Sequence, residues 1–235
     1  MAAQPLIEAL EVAVERARGM DASVNERLTV IANEVRSLNP HFAGAVERLI
    51  ARLQQSGAGA SAPAPGDPMP PFVLPDEDGN LVDLDGLLAE GPVAIAFNRG
   101  HWCPYCRINT VALSEAHHEA AATGGQIVAI VPDMQKFTSE LKADSGAPFP
   151  ILTDIDNGYA LSLNLLVWVG AEMQDLIPRA GADVPAAQGN NAWMVPIPAT
   201  FVVGTDGIIK ARHVDPDYRK RMEIDDLLGA LRNAG

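Results

Sequence analysis

The sequence is poor in cysteine, in positive charge and in long apolar runs. Two cysteines in 235 residues are too few to staple a secreted scaffold of this size, so a disulfide framework is excluded as the source of its stability. Seventeen Lys and Arg stand against thirty Asp and Glu, a net charge of −13. That balance repels polyanions at long range, which argues against nucleic acid and anionic membrane surfaces as partners. No run reaches the roughly 18 apolar residues needed to span a bilayer. The opening MAAQPLIEALEVAVERARGM carries Glu8, Glu11 and Glu15 and lacks the basic and apolar regions of an export signal. A close pair of thiols without that signal is expected in the reducing cytoplasm, where such pairs are more often catalytic or metal-binding than structural.

What is present is enough apolar matter, 48% of the chain, to bury one full-sized core and some additional helix. Residues 1–55 repeat apolar side chains at helical spacing: Leu6, Leu10, Val14; Val24, Leu28, Ile31, Val35; Val46, Leu49, Ile50, Leu53. This predicts two or three amphipathic helices. Asp21 is the expected cap of the second and Asn39 of the third, with Pro40 in its first position. Helices of this kind are marginal alone and are expected to bury their apolar faces on the domain or on a second subunit. The stretch SGAGASAPAPGDP, residues 56–68, is too small and proline-rich to build a core and reads as a linker.

From residue 69 to 235 strands and helices alternate. FVLPDEDGNLVDL reads as a hairpin about Asp78-Gly79, GPVAIAFN and QIVAIVP as buried strands, and residues 104–123 and 134–144 as helices. ATFVVGTDGIIKARHV reads as two strands about Asp206-Gly207, and residues 223–233 as a closing helix. The expected fold class is α/β, a mixed sheet flanked by helices with an N-terminal helical extension. Residues 163–194, with two tryptophans, are left unassigned, as a wall of the site or a dimer contact.

Both cysteines fall in GHWCPYCRIN, residues 100–109, after a buried strand and at the start of a helix. Unpaired N–H groups and the positive end of the helix dipole favour a thiolate at Cys103. Pro104 suits the first helical position because its missing N–H has no intrahelical partner there. Cys106 lies one turn on, at a spacing that brings Cβ atoms to roughly 5–6 Å, within a small adjustment of disulfide geometry. The pair is built to react. A zinc site is disfavoured: His117 and His118 are adjacent and diverge on a helix, and there is no second CxxC. Glu115 reads as a solvated helix charge, and His101 as packing.

WCPYC at a helix start followed by a distant IPAT resembles the thioredoxin superfamily. FNRGHWCPYC, PFPILTDIDN and IPATFVVGTDGIIKARHVDPDYRKR together resemble, more narrowly, the peroxiredoxin-like branch of the alkyl hydroperoxide reductase/thiol-specific antioxidant family. The resemblance covers residues 69–235 and implies a thioredoxin-like fold in which a cis Pro198 faces Cys103 across a shallow groove. It implies a thiol peroxidase in which a Cys103 sulfenic acid is resolved by Cys106, with Trp102, Pro104, Tyr105, Pro198 and Thr200 on the substrate side. A hydroperoxide or disulfide would be the substrate, and a thioredoxin- or glutathione-type thiol the reductant. No cofactor or metal is implied, and a homodimer is allowed. The sequence departs from the family pattern, with Ala96, Gly100 and Pro198 where typical members have Pro, Thr and Arg. Arg99 is then either the donor to the peroxide or a surface ion-pair residue. A protein disulfide reductase and a non-catalytic redox sensor are the alternative functions.

Overall fold

The computed structural model describes residues 5–235, so the first four residues of the N-terminal segment lie outside it. The chain begins with three helices, α1 (Leu6–Arg18), α2 (Val24–Leu38) and α3 (Pro40–Gln55). Their predicted apolar stripes are buried. The cap of α2 is Ser23 rather than Asp21. Ser23 immediately precedes the helix and has Glu26 three residues on, so the two close a capping box that Asp21 stands too early to make. Asn39 caps α3 as expected, accepting the Phe42 N–H at 2.9 Å with Pro40 in the first turn.

The elements that follow are β1 (Val73–Pro75), β2 (Leu81–Asp83), α4 (Leu84–Glu90), β3 (Val93–Phe97), α5 (Pro104–Ala122), β4 (Gln126–Val131), α6 (Gln135–Ser145) and β5 (Ile151–Thr153). After a 3₁₀ turn come α7 (Gly158–Ser162), β6 (Leu166–Trp168), α8 (Ala171–Arg179), α9 (Val184–Gln188), β7 (Met194–Pro196), β8 (Ala199–Val203), β9 (Ile209–Val214) and α10 (Ile224–Arg232). The main sheet has the order β5-β4-β3-β8-β9. β3, β4 and β5 run parallel, β8 pairs antiparallel with β3, and β9 pairs antiparallel with β8. This is the mixed, thioredoxin-like α/β architecture.

Strand side chains alternate between two cores, as the pleat requires. Ile95, Phe97, Ile130 and Phe201 face one, against Phe72 and Tyr159. Ala94, Ala96, Ala129 and Val202 face the other, against α5, α6 and α10. The small alanines let α5 approach the sheet closely. α5 is apolar on most of its circumference, with Ile108, Val111, Ala112 and Leu113 all buried, because its far side carries a third core. That core joins α1, α2 and α3 to Cys103, Tyr105, Cys106 and Ile108. Arg107 clamps Glu11 of α1 at 2.7 and 3.2 Å, and Arg27 of α2 reaches Glu115 at 2.8 Å. Glu115 is an exposed helix charge, as expected, that also pairs with the N-terminal helices.

The stretch 56–68 is not a free tether. Pro68 bridges to Ile208, Gly66 N–H donates to the Ile209 carbonyl at 2.9 Å, and Arg212 donates to the Pro63 carbonyl at 2.9 Å. Gly59, at φ +81°, lies so close to β9 that a Cβ would meet Val214 at 2.8 Å. The unassigned segment 163–194 is a β6–β7 ribbon carrying α8 and α9. It is held to α1 by the Ile7 N–H on the Ala180 carbonyl at 2.9 Å.

Candidate active site

β3 ends at Phe97, and the chain turns through Asn98–Trp102 into α5. Cys103 is the N-cap residue and Pro104 follows it in the first turn. The Cys106 and Arg107 N–H groups donate to the Cys103 carbonyl at 3.0 and 3.1 Å, closing that turn. Both thiols are free and buried, 1% and 0% exposed. The Cys106 sulfur accepts the Arg99 backbone N–H at 3.2 Å and the Arg221 guanidinium at 3.5 Å.

Arg99 is itself buried. Its guanidinium carbon lies 4.0 Å from the Tyr218 ring centre and 4.8 Å from that of Trp102, so the surface ion-pair role is excluded. Arg221 is equally buried. Neither forms an ion pair with a carboxylate among the described residues. Two buried cations without such partners call for an anion, since an uncompensated buried charge is strongly disfavoured. The thiol pair can supply one.

The two sulfurs titrate in opposite directions. Burial pushes the Cys103 thiol up, but the hydrogen bond offered by Cys106 and the charges of Arg99 and Arg221 outweigh it, bringing it down to about 6. Cys106 is pushed well up by burial and by its bond and proximity to the Cys103 thiolate. Of the two, Cys103 is therefore the more acidic thiol and Cys106 the one that keeps its proton.

Cys103 borders a narrow, partly open apolar chamber of about 50 Å³. Its floor is Cys103, Pro104, Tyr105, Trp102, Arg99 and Tyr218; its roof is Leu10, Val35, Phe42 and Val46 of the N-terminal helices, and Ile177 of α8 closes one side. The expected shallow groove is absent because these helices fill it. The geometry also corrects Pro198: no cis peptide bond occurs among the described residues, and Pro198 lines a different, smaller cavity that shares only Arg99 and Tyr218 with the first. The stacked Arg99 and Tyr218 form the common wall between proline and thiol. Thr200 pairs with Ala96 and His213 within the sheet and lines neither cavity. Trp102, Pro104 and Tyr105 line the chamber beside Cys103.

Three contributors escaped the sequence reading. Tyr218 and Arg221 lie in DPDYRKR, a segment without helix or strand, where nothing in residue type separates a site arginine from a surface one. Asp133, just after β4, is fully buried with Oδ2 accepting the His101 N–H at 2.6 Å and Oδ1 without a partner. Burial, partly offset by that N–H, pushes its carboxyl up to about 7. The His101 ring turns away from the thiols to Asp144 at 2.6 Å, and His117 packs near Phe149.

A family model described as the AhpC/TSA family matches residues 65–212. No curated protein matches the chain. Among solved structures, the Mycobacterium tuberculosis peroxidoxin BcpB aligns with TM-score 0.57 at 21% identity, covering 73% of this chain and 98% of its own. Mycobacterium tuberculosis AhpC aligns with TM-score 0.54 at 18% identity, covering 72% and 92%. A cysteine-to-serine mutant of Xanthomonas campestris peroxiredoxin Q gives 0.54 at 17%, covering 74% and 99%. These likenesses establish the fold, and none of the three reaches the full length of this chain. With the matched segment spanning more than half of its residues and carrying both thiols, the chain belongs to the AhpC/TSA family of peroxiredoxin-like thiol oxidoreductases.

Proposed function

We propose that the protein reduces hydroperoxides through Cys103, with Cys106 as the resolving thiol. The observation that carries this reading is a buried, acidic thiol at the floor of a narrow apolar chamber, which a small peroxide fits and a folded protein disulfide does not. The Cys103 sulfur attacks the terminal peroxide oxygen. The O–O bond breaks, HO transfers to sulfur as a sulfenic acid, and the departing alkoxide takes a proton to leave as an alcohol, or as water from hydrogen peroxide. Arg99, facing the chamber, takes over the charge stabilisation that the family's Thr and Arg provide elsewhere. Cys106 then attacks the sulfenic sulfur; the S–S bond forms, and the hydroxyl leaves with the Cys106 proton as water. An external thioredoxin- or glutathione-type dithiol or thiol pair returns two electrons and reopens the disulfide. The setting is the reducing cytoplasm.

The test is a thiol titration with mass analysis after peroxide, on the wild type and on each single cysteine variant. The expected products are a Cys103–Cys106 disulfide in the wild type, a sulfenic acid on Cys103 in Cys106→Ser, and no reaction in Cys103→Ser. Peroxide consumption no faster than that of a free thiol, with efficient reduction of insulin, would replace this reading with a disulfide reductase.

A further inference from the structure

Residues 215–223, between β9 and α10, contain no helix or strand, yet they deliver Arg221 to the Cys106 sulfur. Such a segment has no ladder or helical turn of its own to fix it, so its position depends on what it is tied to. Two side chains of the N-terminal extension make the tie: Glu47 of α3 takes the Arg219 guanidinium at 2.6 and 3.2 Å, and Asn25 holds Arg221 itself. Asn25, in the first turn of α2, accepts the Arg221 backbone N–H on Oδ1 at 2.9 Å and donates from Nδ2 to the Arg221 carbonyl at 2.9 Å. The same Nδ2 donates to Glu223 at 2.6 Å. The amide thus pairs with both backbone groups of one residue, as a neighbouring strand would. With its backbone held, the Arg221 guanidinium bonds the Tyr218 and Lys220 carbonyls at 2.5 and 2.7 Å and turns its other amino group to Cys106.

We infer that Asn25 is a positioning residue for the thiol pair, acting through Arg221 to hold a cation against the Cys106 sulfur. The N-terminal helices are then part of the thiol machinery as well as its roof. The inference rests on Cys106 having to ionise to do its work, and it holds for a peroxidase or a disulfide reductase alike. Asn25 carries no charge, so any effect it has on Cys106 passes through geometry. The charged and titratable groups facing Cys106 come from four places: Cys103 on α5, Arg99 in the turn after β3, Asp133 after β4, and Arg221. Only the last touches Asn25.

The test needs no peroxide. In a Cys103→Ser background, the ultraviolet thiolate absorbance and the alkylation rate of Cys106 are followed against pH. Asn25→Ala is expected to move the midpoint upward and slow alkylation at fixed pH by about three- to tenfold, the span of half to one pKa unit. Added to Arg221→Lys, it should have little further effect, because the two act in series. Ser23→Ala, which loosens the α2 cap without touching Arg221, should lower the melting temperature and leave the midpoint in place. Asn25→Gln, which keeps both hydrogen-bonding groups on a longer arm, provides the measurement if the alanine variant does not fold, and should give a smaller upward shift. A midpoint unmoved in the folded Asn25 variants, or effects of Asn25→Ala and Arg221→Lys that simply add, would overturn the assignment. Absence of peroxide turnover in the wild-type protein, with these shifts intact, would instead count against the peroxidase reading alone.

Discussion

Asp133 stands where a side chain on Gly100 would begin. A Cβ built at Gly100 would overlap the Asp133 carboxyl and approach the Trp102 indole nitrogen to 2.8 Å, and the backbone there has φ +129°. The family's threonine position is therefore filled from across the sheet, and glycine is required on two independent grounds. Gly100→Thr is expected to destabilise the fold by more than about 2 kcal/mol, the strain of a side chain in that backbone region plus the clash. Urea unfolding measures the loss, and restoring the family residue should not raise the peroxide rate.

The same carboxyl makes stability depend on pH in a definite direction. Asp133 has its folded-state value raised from 3.8 to about 7. Between those values the native state holds a proton that the unfolded chain has released, so unfolding is favoured as pH rises across that window. Asp133→Asn removes the effect. Relative to the wild type, the variant should gain stability steadily from pH 4 to pH 7, by on the order of a few kcal/mol, and no more above it. Urea melts at a series of pH values give the comparison, and a constant difference across the window would contradict the assignment.

The strands, the CPYC helix and the closing helix were legible in the sequence because each carries its own period or breaker. Near-continuous apolar runs mark β3 and β4, Asp-Gly pairs mark the hairpins, and proline after Cys103 marks the start of α5. Cys103 and Cys106 were legible for the same local reason. What escaped was non-local. Arg221 is a site residue because Asn25, 196 positions away in the chain, holds it. Pro198 carried the family signature but lies behind Arg99 and Tyr218, a separation set by packing rather than by its neighbours in sequence. The linker's small residues were read as too poor to pack, whereas Gly59 lies against Val214 of β9 with no space for a Cβ and Ala62 is buried in the sheet core.

Reactivity should divide sharply between the two cysteines. With Cys103 lowered to about 6 and Cys106 raised, a brief substoichiometric iodoacetamide pulse at neutral pH should label Cys103 first, as read by mass spectrometry. The rate should rise through a midpoint near pH 6. Arg99→Ala removes one of the charges that lower Cys103, so the midpoint should move up and peroxide reduction should fall. Because Arg99 also stacks on Tyr218 and Trp102, Arg99→Lys is the informative companion: it keeps the charge, and the midpoint should move less. Preferential labelling of Cys106 would reverse the roles of the two thiols.

Substrate size should be set by the helical roof. Val46 on α3 and Phe42 in its first turn line the chamber above Cys103, and a volume of about 50 Å³ leaves little room for an organic tail unless the roof gives. Val46→Phe adds a ring to this space. It should slow reduction of a bulky organic hydroperoxide more than that of hydrogen peroxide, which needs only the oxygen-binding end of the site. Phe42→Ala enlarges the chamber and should shift the ratio the opposite way, at some cost in stability from the lost contacts. Phe42 is only partly buried, so that cost should stay below the range for a fully buried phenylalanine, about 3–5 kcal/mol. Rapid-mixing fluorescence with the two peroxides gives the ratio for each variant, with Trp102 as the reporter beside the thiol. A ratio unchanged in both would show that peroxides reach Cys103 by a route that avoids the chamber.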